Sequence, residues 1–340
     1  MKNFSFRLIL TKGVLLSFLV MALSFGLTSQ ASGFGSMNPA SGKPLIIEKS
    51  VITSDTVWEG ELLVKGDVEV VKGATLIIMP GTVVKFVKVE PYGPTKLYKD
   101  KEVYFPRSEI IVRGRVLAQG TKDKMIVFTS AEESPRNSDW GAINFLDSWD
   151  NILEFCELSY GHTSVHCHGA QVVVANCYFH DNGVAFGMKN VKGGKIKCKV
   201  PILYNRITAN GGGILFGGGA SPTIAHNQID NNLFFGIFGK KGAPNYIRYN
   251  NITQNGKGII TYSMADLRLR ENNIFDNKEY NISLMEGQTQ DVDARHNWWG
   301  TTDEKKIKAL IWDKDEEESL GTLDFSDVAD SPIEGAGVPR

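Results

Sequence analysis

The sequence predicts an all-β solenoid, a chain wound into stacked coils of short strands and turns. A motif recurs from about residue 150: Tyr204-Asn205-Arg206-Ile207, His226-Asn227-Gln228-Ile229, Tyr249-Asn250-Asn251-Ile252, Glu271-Asn272-Asn273-Ile274 and His296-Asn297-Trp298-Trp299, at steps of 22, 23, 22 and 25 residues. A second Asn column follows five residues later, at Asn182, Asn210, Asn232, Asn255 and Asn277. Within each unit the apolar residues are β-branched and broken by Asn and Gly, whereas a helical repeat needs them three and four residues apart.

The elements follow in order. Lys2, Arg7 and Lys12, the apolar run Val14 to Leu27 and the small-x-small sequence Ser29-Gln30-Ala31 predict a signal peptide over residues 1–31. The run is too short to span a bilayer comfortably, and no later stretch approaches the roughly 20 apolar residues of a membrane helix. The expectation is an exported protein, periplasmic or extracellular, with no membrane span in the mature chain. The 37 basic residues nearly balance 38 acidic ones, which argues against a nucleic-acid partner.

The solenoid is expected over residues 32–300. Val57-Trp58-Glu59-Gly60, Gly73-Ala74-Thr75-Leu76-Ile77-Ile78, Pro80-Gly81-Thr82-Val83-Val84 and Asp139-Trp140-Gly141-Ala142-Ile143 read as early coils without Asn. The Tyr- and Lys-rich stretch from Glu90 to Arg107 and the segment Lys189 to Lys199 read as loops leaving the stack. Cys156 and Cys177 extend the first Asn column backward. Coils stacked roughly 4.8 Å apart would let each Asn bond to the Asn above and below. The Asn is also expected to take the left-handed angle of the corner, with Gly183, Gly211 and Gly256 allowing the next turn.

The strand that follows should point Val165, Val184, Ile214, Ile237, Ile259 and Ile282 inward, then Cys167, Phe186, Phe216, Gly239, Thr261 and Leu284. Its outward columns should hold His166, Ala185, Leu215, Phe238, Ile260 and Ser283, and beside them His168, Gly187, Gly217, Lys240, Tyr262 and Met285. Residues 301–340 are expected to cap the last coil, with a capping box of Thr301 and Glu304 opening a helix that carries Ile307, Leu310 and Ile311.

With these columns the chain resembles the right-handed parallel β-helix proteins, in the pectate-lyase-like and NosD-like group of carbohydrate-binding and sugar-hydrolase repeat domains. The resemblance implies a single-stranded right-handed parallel β-helix with a short C-terminal capping helix. It implies much less about activity. Related lyases hold calcium with carboxylates beside a basic residue, and related hydrolases cluster aspartates. No Asp-Asp pair occurs here, while Asp181, Asp230 and Asp276 fall one per coil at turns.

No catalytic residue is assigned from the sequence. A polysaccharide or cell-envelope glycan is the expected partner, held along the outward columns by His166, His168, Phe238, Lys240 and Tyr262, with Lys195 and Lys197 of the loop drawing in acidic groups. A lyase or hydrolase with an unrecognised site, and an adhesive spacer with a protein partner, are the alternatives. No cofactor is expected, although calcium or a transition metal is conceivable: His166, His168 and His180 lie close in sequence, but His180 belongs to another strand. The four cysteines, Cys156, Cys167, Cys177 and Cys198, leave both disulfides and simple burial open.

Overall fold

The computed structural model describes residues 35–37, 43–242 and 246–339. The expected leader, residues 1–31, lies outside the described residues. Among the described residues the strands form three parallel sheets of 12, 10 and 11 strands. Each coil adds one strand to each sheet in turn, as Thr75–Ile78, Val83–Phe86 and Ile110–Val112 do, so successive strands of a sheet come from successive coils. The architecture is a right-handed parallel β-helix, nearly devoid of helix, as the columns predict. Among the described residues no helix is long and apolar enough to cross a membrane.

Inward side chains of the three sheets meet in one continuous core. Ile207, Ile229, Ile252 and Ile274 stack in register in the second sheet, and Ile214, Ile237, Ile259 and Ile282 in the third. Burial of each such side chain contributes about 2 kcal/mol. In the early coils aromatic residues fill the space: Phe86 stacks on Trp140 at 4.4 Å, and Trp140 donates its indole N–H to the Ser159 carbonyl at 2.7 Å.

Both Asn ladders form, and they have a direction. In the first, the backbone N–H and the side-chain Nδ2 of Asn205 both donate to Oδ1 of Asn227, at 2.9 and 3.0 Å. Asn227, Asn250 and Asn272 repeat the pattern toward Asn297. The second runs likewise from Asn182 through Asn210, Asn232 and Asn255 to Asn277, which turns to Asn281. Each Nδ2 also reaches backbone carbonyls: that of Asn227 donates to Ile202 and Ala225. Side-chain oxygen and nitrogen of each Asn in the two columns thereby find partners, while Nδ2 of the buried Asn281, at the end of the second ladder, has none. Cys156 and Cys177 imitate this with thiols, Cys177 Sγ lying 3.5 Å from the Leu153 carbonyl and 3.2 Å from that of Ala175. All four cysteines are unpaired and buried.

The left-handed corner residue is the one before the ladder Asn, not the Asn itself. Tyr204, His226, Tyr249, Glu271 and His296 have φ between 54° and 57°, and Ala209, Asn231, Gln254 and Asp276 have φ between 53° and 58° before the second ladder. The ladder Asn keeps ordinary angles because its backbone N–H must point along the stack. Gly211 is required by close approach rather than by a left-handed angle, since a Cβ there would lie 2.5 Å from the Gly183 carbonyl oxygen.

One coil is shifted by two residues from the sequence register. Val165 pairs with Phe186, not Val184, so Met188 takes the second inward place and Gly187 and Lys189 replace Ala185 and Gly187 outward. The spacing explains it: Phe186 lies four residues after Asn182, as Ile214 does after Asn210.

The capping region also departs from expectation. The helix is Glu304–Lys308, and Asp303, rather than Thr301, is its N-cap, accepting from the N–H groups of Lys305 and Lys306. Ile307 is buried, whereas Ile311 joins the third sheet in strand Ile311–Trp312, and Leu323–Asp324 joins the first. Sheet pairing therefore continues past Gly300. The acidic turn after Trp312 closes on Lys308, whose Nζ meets Asp315 at 2.9 Å and Asp313 at 2.5 Å.

Candidate functional site

The site is built on the outer face of the third sheet. One outward column runs Glu69, Ile111, Asn144, His166, Gly187, Leu215, Phe238, Ile260 and Ser283. Its neighbour runs Leu146, His168, Lys189, Gly217, Lys240 and Tyr262. The stretch Glu90 to Arg107 does leave the stack, and then folds back over the first of these columns.

Buried charge fastens it there. Lys96, fully buried, places Nζ 2.6 Å from Asp67, 2.8 Å from Glu109 and 2.9 Å from the Arg107 carbonyl. Asp67 also accepts the Leu97 N–H, and Glu109 that of Phe105. Nearby, Tyr98 donates to Glu69, Arg113 bonds both Glu69 and the Tyr104 hydroxyl, and the Tyr98 and Tyr104 rings stack at 4.6 Å. Two carboxylates share one ammonium in a fully buried site, so desolvation outweighs attraction. Burial raises the Asp67 carboxyl, and it pushes Glu109 up to about 7.

Between this segment and the sheet lies a groove of about 550 Å³. Tyr92, Tyr104, Phe105 and Pro106 form one wall; His162, His166, Gly187, Leu215 and Gly217 lie along the sheet; Lys189, Asn190, Lys240 and Lys241 also line it, with Lys101 and Glu102. Four lysines against one carboxylate make it cationic. Aromatic faces beside fixed positive charge suit a ligand with apolar C–H surfaces and anionic groups.

The groove gathers His166 and Lys240 from the sequence-based set and leaves the rest outside it. His168 stands two residues along the same strand, its ring 5.9 Å from that of His166. Phe238 and Tyr262 are half-buried: Phe238 meets Phe235 edge-on, and the amines of Lys240 and Lys241 lie over the Tyr262 ring at 5.7 and 5.8 Å. The strip is thus less exposed than its sequence implies, and Ile260 is buried. Lys195 and Lys197 sit in the second loop, away from the lining. The same loop packs its Val191 at Gly169 and sends Cys198 into the core.

His180 lies on the second sheet, between Glu157 at 3.2 Å and Asp181 at 2.7 Å, and these carboxylates raise its pKa against the effect of burial. It does not approach His166 and His168. Among the described residues no three His, Cys, Asp or Glu side chains are gathered for a metal ion.

The sequence-based binding set lacks His162, Lys189, Lys241 and the whole aromatic wall. The Tyr- and Lys-rich composition of residues 90–107 was the available signal, but composition does not say over which face a loop folds.

Two family models match the chain. One, for a right handed beta helix region, covers residues 197–300, and the other, for a pectate-lyase like beta helix domain, covers residues 50–152. The chain is a right-handed parallel β-helix repeat protein. No curated protein sequence matches this β-helix chain. Among solved structures it is similar to the periplasmic alginate epimerase AlgG. One mutant is 12% identical with a TM-score of 0.42, over 88% of this chain and 82% of that one. A second mutant has the same identity and TM-score, over 88% and 81%. The unsubstituted epimerase is 13% identical with a TM-score of 0.40, over 78% and 68%.

Proposed function

We propose that this β-helix protein is exported and binds an acidic polysaccharide in the groove of the third sheet. The observation that carries the reading is the convergence of Lys101, Lys189, Lys240 and Lys241 with Tyr92, Tyr104 and Phe105 in one open groove. A sugar ring offers C–H faces to the aromatic wall, and its carboxylate meets an ammonium. The match of residues 50–152 to a pectate-lyase like domain supports a glycan rather than a protein partner. His168, Phe238 and Tyr262 extend the same face, so a longer chain would pass over them, while Lys195 and Lys197 add longer-range attraction.

The test incubates the protein with neutral and acidic polysaccharides and measures retention and chain length in the same samples. Acidic chains are expected to be retained, and the Lys189→Glu, Lys240→Glu double variant to bind about tenfold more weakly. Retention that is indifferent to both charge reversals would reject the groove. Shortened chains would instead reassign it as a catalytic site.

A further inference from the structure

We propose that Asn144 is a positioning residue that holds His166 in a single tautomer, leaving Nε2 as an acceptor for a sugar hydroxyl in the groove. The ligand half of this inference rests on the binding function proposed above; the tautomer stands without it.

The Asn144 side chain is fully buried between the docked segment and the sheet. Its Nδ2 lies 2.8 Å from Glu109 Oε2 and 3.1 Å from the Val103 carbonyl oxygen. A backbone carbonyl can only accept, so the NH₂ group must face that side. Oδ1 then faces His166 Nδ1 at 2.9 Å. An amide oxygen can only accept as well, so the imidazole proton resides on Nδ1. Proton uptake by Glu109 does not reverse the amide, because Val103 still requires a donor.

His166 is neutral. Burial, reinforced by the positive charges of His168, Lys189 and His162, holds its pKa down to about 3. A neutral ring protonated on Nδ1 carries a bare lone pair on Nε2. His166 lines the groove, and Gly187 beside it leaves that edge open: a Cβ there would stand 3.3 Å from His166 Cδ2, the atom next to Nε2. The groove lysines can only donate, so His166 supplies the complementary acceptor. A sugar held by its carboxylate on a lysine turns a hydroxyl hydrogen toward Nε2.

The experiment is ¹⁵N NMR of the histidine-labelled full chain. The His166 resonances are expected to show Nδ1 protonated and Nε2 bare, with at least a tenfold excess of that tautomer; a protonated Nε2 would overturn the proposal. Asn144→Ala, checked for folding by its melting curve, is expected to lose about tenfold of that excess, as removal of one buried hydrogen bond implies. An unchanged excess would remove Asn144 from its role. Addition of an acidic oligosaccharide retained in the binding test should shift the Nε2 resonance. A retained oligosaccharide that leaves Nε2 unmoved would end the acceptor role, whereas no retention at all would reject the groove reading and leave the tautomer standing.

Discussion

At the residue scale, the ladder amides are the most demanding positions in the chain. Asn250 donates to Asn272 and to the carbonyls of Ile224 and Arg248, and accepts from both nitrogens of Asn227. Asn250→Ala would leave buried donors and acceptors without partners, and each such group costs about 1–3 kcal/mol. A loss of about 3 kcal/mol or more is expected in urea unfolding. Cys177→Ala, which removes only weak thiol contacts and a small volume, should cost about 1 kcal/mol in the same assay. Equal losses would mean that the amides act only as spacers.

At the scale of the element, residues 90–107 are held by charges that burial makes expensive, and this gives the fold a pH dependence of known sign. The folded Glu109 pKa of about 7 exceeds the value of 4.5 for a free Glu. The folded state therefore binds more protons than the unfolded chain between these values. The associated stability is full below pH 4.5 and is lost as pH rises through 7, by on the order of 3 kcal/mol. Melting temperatures of wild type and Glu109→Gln from pH 4.5 to 8 should show the variant gaining relative to wild type as pH rises. Parallel curves would place the proton elsewhere. This element also marks the limit of what could be read in advance. The coils were legible because Asn, Ile and Gly recur at one spacing, and the same rule found Asn205 to Asn297. The docking of Lys96 between Asp67 and Glu109 has no period; it joins residues far apart in sequence through contacts made once. His166 could be placed outward from strand alternation alone, but its partner Asn144 sits one coil earlier, where no motif announces it. At Val184 the sequence register slips by two residues, because Val184 matches the neighbouring coils in residue type while Phe186 matches them in distance from the ladder Asn.

At the scale of the molecule, groove and cap lie apart. The C-terminal tail runs back along the second sheet, where Ile333 N–H donates to Asn273 Oδ1, Gly337 N–H to the Tyr249 carbonyl, and Asn251 Nδ2 to the Ala336 carbonyl. Tyr204, His226 and Tyr249 stack beside it at 4.8 and 5.0 Å, and His226 Nδ1 is 2.9 Å from the Gly335 carbonyl oxygen. Truncation after Asp330 should lower the melting temperature by several degrees through these lost bonds, while glycan retention stays unchanged. A parallel loss of retention would show that the two faces are coupled.

The direction of the Asn ladders bears on how such a chain is made. Each Asn–Asn bond between coils has its donor in the earlier coil and its acceptor in the later one, so no coil of either ladder can finish its amide-to-amide bonding until its successor has emerged. Synthesis runs from the N-terminus. Consolidation of the laddered coils must then travel backward, from Asn297 and Asn281 toward Cys177 and Asn182, once the last turn exists. A protein that settles from its final coil stays pliable while the chain is still growing.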